Sequence, residues 1–130
     1  ALANTVVKKA KDSEKAYTCL KLAWLCRGKA ESLPKETPDY ENQIKQLQQE
    51  ETELLANAYD GFMSAFSKED FPMCGMDETT TTYLIADLAR RIGKYEESSR
   101  WVSKVLTSRS ASDRIKDKAR DIKEMINQQK

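Results

Sequence analysis

Gly93 constrains this chain more than any other residue. It falls between two runs whose apolar residues recur at helical spacing. Leu84, Ile85, Leu88, Ala89 and Ile92 lie before it, at separations of one, three and four, and Tyr95, Trp101, Val102, Val105 and Leu106 lie after it. Such separations put side chains on one face of a helix. A glycine just past the last apolar residue marks a helix end, because the C′ position needs a positive φ that glycine adopts without a Cβ clash. Tyr95 restarts the pattern almost at once, and helices linked that tightly fold back antiparallel. Residues 79–110 therefore read as a helical hairpin around which the rest of the chain is organised.

The flanking sequence is helical too. Four glycines and three prolines in 130 residues, with few β-branched runs, argue for one all-α domain with enough apolar content for a core. Residues 2–11 read as a short helix, and Asp12-Ser13 offers a break and an N-cap. A helix over about 14–31 is expected to bury Ala16, Cys19, Leu20, Leu22, Ala23, Leu25 and Cys26, with Gly28 weakening its last turn. Thr37 then caps and Pro38 occupies the first position of a helix running to about Ser67, roughly 45 Å long. Its first half is nearly all Gln, Glu and Lys and is expected to project past the body; Gly61 allows a close helix approach or a bend. Phe71 and Pro72 are expected to plug helix ends, Asp77 to cap the hairpin, and Ser110 or Ser112 to cap a last helix carrying Ile115, Ala119, Ile122 and Ile126.

Several kinds of chemistry are excluded or disfavoured. The chain has no histidine, which removes Ser-His and Cys-His catalysis and imidazole metal sites. It has no phosphate-binding glycine loop, and acid pairs such as Glu50-Glu51 and Glu96-Glu97 fall on solvated faces or helix starts. Cys19 and Cys26 are two helical turns apart, about 10 Å along one helix, too far for a disulfide or a shared metal. Cys74 lies in a loop beside acids that oppose a thiolate. No catalytic residue, metal or cofactor is expected. No apolar run approaches a membrane span and no signal peptide opens the chain, so a reducing cytoplasm is the expected setting. Net charge is +1, but lysine and arginine exceed acids in residues 1–37 and 79–130, and acids dominate 38–78.

Two resemblances add to this. The helix-packing residues of 79–110, Ala86 followed by Gly93, Tyr95 and Glu97 and then an aromatic and Val-Leu, resemble a tetratricopeptide repeat. LAWLCR at 22–27 aligns with IADLAR at 85–90, so an earlier copy is expected at a spacing longer than the usual repeat. The resemblance implies a tetratricopeptide-like array of antiparallel hairpins with a C-terminal capping helix, and a binding surface rather than an active site. The segments LKLAWLCR, MDE, YLIADLARRIGKYEESSRWVSKVLTSRSAS and KDKARD resemble the C-terminal half of the bacterial domain-of-unknown-function family 2225. That likeness implies a cysteine-rich, zinc-binding-like segment upstream. With Ala1 and not Met at the start, residues 1–130 are expected to be a single helical repeat domain from a longer protein.

The expected function follows from the repeat. First helices of such pairs line a groove, which would gather Leu20, Trp24 and Arg27 with Tyr83, Asp87 and Arg90. Arginines there suit a peptide carboxylate or an acidic side chain; the alternative is that Arg27 and Arg90 pair with local acids. A non-enzymatic protein–protein interaction module is the leading expectation, with an acidic protein or peptide as partner and self-association through the long helix 38–67 as a further route. The alternative is nucleic-acid binding through residues 90–123, which hold eleven Arg or Lys. It is disfavoured by interleaved acids at Glu96, Glu97, Asp113, Asp117 and Asp121.

Overall fold

The computed structural model describes residues 11–129. It is all-helical: α1 spans Asp12–Ser32, α2 Tyr40–Lys68, α3 Glu78–Arg91, α4 Tyr95–Thr107 and α5 Asp113–Gln129. The short helix expected over 2–11 lies, apart from Lys11, outside the described residues. Lys11 is extended, with φ −69° and ψ 152°, and α1 begins at Asp12. The expected break and cap at Asp12-Ser13 is therefore the first turn of α1 itself. Ser13 is buried there and donates to the Glu69 carboxylate at the far end of α2, with its amide bonded to the same group at 3.1 Å.

Gly93 ends α3 as its position predicts, at φ +85°. The Lys94 amide reaches the Ala89 carbonyl at 2.8 Å and the Gly93 amide reaches Arg90 at 3.1 Å, the paired bonds of a Schellman closure. α4 then starts at Tyr95 and returns antiparallel against α3. Ser98 makes the close approach possible: fully buried, its hydroxyl donates to the Ala86 carbonyl at 2.7 Å. Asp77 caps α3 by accepting from the Thr80 amide at 2.8 Å and from the Thr79 hydroxyl. Hydrogen bonding to Thr80, by side chain and by backbone, holds the Asp77 carboxyl below the usual carboxylate range. Of the two candidate serines, Ser112 caps α5, accepting from the Ile115 amide at 3.2 Å.

The start of α2 differs from the expected Thr-Pro cap. Thr37 and Pro38 form a turn, with the Tyr40 amide bonded to the Thr37 carbonyl at 3.1 Å. Asp39 precedes the helix in the left-handed region at φ 60° and bonds Asn42 through its side chain. Residues 39–50 do not project alone: they run antiparallel along the C-terminal half of α1, linked by Arg27 to Glu51. Gly61 sits where α1 and α2 come closest, since a Cβ built there would stand 2.7 Å from the Ala16 Cβ.

One core unites the elements. Leu55, Ala58, Tyr59, Phe62 and Ala65 of α2 meet Ala16, Leu20 and Ala23 of α1, while Ile85, Leu88, Trp101, Val102, Ala119, Ile122 and Ile126 come from α3 to α5. Phe66 joins α2 to α4 and to the 69–77 loop, its ring edge-on to Trp101 at 4.9 Å and to Phe71 at 5.5 Å. In that loop Phe71 packs as expected, whereas Pro72 is exposed and Met73 is the buried plug.

Candidate interaction surface

The six residues expected to share a groove do not come together. The backbones of α1 and α3 do not approach each other; α2 packs on both and lies between them. Leu20 is only 2% exposed and belongs to the core, so it lines no surface. Arg27 turns toward α2, where its Nε and Nη2 reach one oxygen of Glu51 at 3.0 and 2.8 Å. Asp87 is bracketed by its own helix, accepting from Arg90 at 2.9 Å and Arg91 at 3.0 Å. The Arg90 Nε is buried with no acceptor among the described residues. Tyr83 is half-buried against α5, with the Lys118 Nζ 5.9 Å from its ring centroid; burial pushes its phenol up. Tyr83, Asp87 and Arg90 thus share one face of α3, and Arg27 is an inter-helix tie on α1. The equal places of the two arginines in LAWLCR and IADLAR mislead because the long α2 intervenes.

The remaining site residue, Trp24, opens a different surface. It is 46% exposed, and beside it Leu22 and Leu25, both expected in the core, are 45% and 60% exposed. α1 carries apolar side chains around its whole circumference. Ala16, Leu20 and Ala23, at separations of four and three, face α2 because small residues there admit Gly61 to close contact. That choice turns Leu22 and Leu25 outward. A helix apolar on both faces is characteristic of one covered on both sides. The outward stripe is Thr18, Leu22, Leu25 and Lys29, with Lys15, Lys21, Trp24 and Gly28 exposed along its edges. Sequence reasoning placed Leu22 and Leu25 inside because their separations fit a buried stripe as well as an exposed one; the excess of apolar residues over one face was the signal.

Other features offer less. A cleft of about 590 Å³ lies between the end of α1 and the first part of α2, lined by Leu33, Pro34 and Leu47 together with Lys29 and Glu50. Cys26 is buried beside Glu50, and desolvation pushes its thiol up; a protonated thiol is a poor nucleophile. Tyr59 of α2, buried in the core and donating to Glu97 of α4, has its phenol raised by the same desolvation. Among the described residues no cluster of Cys, Asp or Glu is placed to hold a metal ion, and no helix is long and apolar enough to cross a membrane. The cations of 90–123 are partly engaged: Arg120 pairs with Asp117, and Lys104 stands 4.3 Å over Trp101.

The fold and this surface define the chain as an all-α domain of packed helical hairpins with an exposed apolar helix face. Over residues 1–126 it matches the family described as "Uncharacterized protein conserved in bacteria (DUF2225)", and it belongs to that family. No curated protein and no solved structure matches the chain.

Proposed function

We propose that the domain is a non-enzymatic protein–protein interaction module whose docking surface is the outer face of α1. The observation that carries this is the joint exposure of Leu22, Trp24 and Leu25 on a helix that is fully packed on its other side. Removing such side chains from water contributes about 1.5–3 kcal/mol for a full burial of each, and roughly half that from their present exposure. Tryptophan, here Trp24, is among the residues enriched in binding hot spots. The tetratricopeptide-like character belongs to the same reading, supported by the tight α3–α4 hairpin and by α5 packing on both its helices. A reducing, cytoplasmic setting is consistent with free Cys19, Cys26 and Cys74.

The experiment is in-cell cross-linking of the tagged, full-length protein in a bacterium that encodes it. The wild type is compared with Leu22→Glu/Leu25→Glu. Loss of a specific protein cross-link in the double variant, with an unchanged circular dichroism spectrum and melting temperature, is the expected result. Identical cross-links from a folded double variant would refute the proposal, and cross-links to DNA or RNA in their place would favour the nucleic-acid alternative.

A further inference from the structure

The proposal above places a protein on the outer face of α1; resting on that reading, we infer that the partner element is an amphipathic helix whose apolar stripe is flanked by carboxylates. Three features of the face select it. The first is spacing. Thr18, Leu22, Leu25 and Lys29 are separated by four, three and four residues, the seam by which one helix packs along another. The second is charge. Lys15 and Lys21 flank the stripe and Lys29 continues it, all three exposed; of the exposed acids of α1, Glu14 sits in the first turn where it complements the helix dipole and Glu31 lies in the last turn. A partner helix with acids at its flanking positions meets three cations, and one with lysines there is repelled.

The third feature is Gly28. It lies inside α1, three residues beyond Leu25, where glycine weakens a helix. A Cβ built at this position would meet nothing within 4 Å, so no neighbour among the described residues requires the glycine. Gly61 shows the contrast: its missing Cβ admits Ala16. An external backbone crossing close over Gly28 supplies the same reason from outside. This separates the possible occupants. An anionic lipid surface would suit Trp24 and the lysines but gains nothing from an absent methyl. A second copy of this face would bring lysines against lysines.

The test uses the full chain and two synthetic helical peptides of about three heptads, each with leucine seam positions. One carries Glu at the flanking positions and the other Lys. Binding is read from the emission of Trp24, since Trp101 is already 8% exposed and in the core. The Glu peptide should shift the emission to the blue and bind about tenfold more tightly than the Lys peptide at low salt, a ratio that three exposed charge pairs supply and that added salt should shrink. Leu25→Glu should abolish binding with an unchanged melting temperature. Gly28→Leu should raise the melting temperature, because it improves the helix, yet weaken the Glu peptide about tenfold by filling the crossing point.

Several results would overturn the inference. Equal binding of both peptides removes the charge argument, and a lowered melting temperature for Gly28→Leu shows that the chain itself needs the glycine. Binding to phosphatidylserine vesicles that exceeds peptide binding assigns the face to a membrane. Dimerisation lost in Leu25→Glu assigns it to a second copy. Resistance of Trp24 to acrylamide quenching in the free chain shows the face already covered. If neither peptide binds while the Leu22- and Leu25-dependent cross-link persists in cells, the helix chemistry is wrong and the interaction reading stands; if both fail, both readings fall.

Discussion

Gly28 and Gly61 form a matched pair on which the packing of the first hairpin can be tested. Both lie inside helices, so replacing either by alanine improves helix propensity by about 0.8–1 kcal/mol. At Gly28 the new methyl meets nothing within 4 Å among the described residues, and Gly28→Ala should stabilise the domain by about that amount. At Gly61 the methyl would stand 2.7 Å from the Ala16 Cβ and 3.4 Å from both the Ala16 Cα and the Asp12 carbonyl oxygen. Carbon atoms prefer about 3.5–4.0 Å, so α1 and α2 must part by about 1 Å. The separation would loosen Ala16, Leu20, Ala58 and Phe62, all fully packed at this interface. Overpacking of this kind costs about 1–3 kcal/mol. Net of propensity, Gly61→Ala should destabilise by about 1 kcal/mol, some 2 kcal/mol below Gly28→Ala. Urea titrations followed by circular dichroism, extrapolated linearly to water, measure both. Adding Ala16→Gly moves the methyl across the interface and should show a favourable coupling of about 1 kcal/mol with Gly61→Ala. Equal stability of the two single variants would refute the close approach, and with it the reason given for which face of α1 is buried.

Gly93→Val should cost about 1–3 kcal/mol, since a β-branched residue resists φ +85° at the helix closure; a melting temperature within a degree of wild type would contradict this. The Arg27–Glu51 tie, with both side chains under a third exposed, should give a coupling of about 0.5–1 kcal/mol in a double-mutant cycle of the alanine variants, whereas Arg90→Ala, losing a pair within one helix, should cost less. Asp77→Ala should cost about 0.5–2 kcal/mol through the lost cap. Because the Asp77 carboxyl is held below its ordinary value in the folded chain, its contribution is present above the unfolded value near pH 4 and is lost as pH falls through the folded one. Stability titrations of the wild type and Asp77→Asn from pH 6 downward should therefore converge in acid, and a gap that stays constant would rule out the ionised cap.

What sequence alone determined here is what neighbouring residues decide among themselves. The closure at Gly93 follows from a conformation only glycine adopts cheaply, and the caps at Asp77 and at Ser110 or Ser112, a choice the structure resolves to Ser112, follow from oxygen atoms within reach of the next amides. The α3–α4 hairpin and the α5 stripe of Ile115, Ala119, Ile122 and Ile126 were legible for the same reason. Tertiary structure decided which of two apolar faces α1 buries, because both satisfy helical periodicity and only the fit of Ala16 against Gly61 separates them. It also decided the fate of the arginines. A constant offset of residues says that Arg27 and Arg90 occupy equal places on their own helices, but says nothing of what lies between those helices. There α2 intervenes, giving Arg27 a carboxylate on another helix and leaving Arg90 with one on its own.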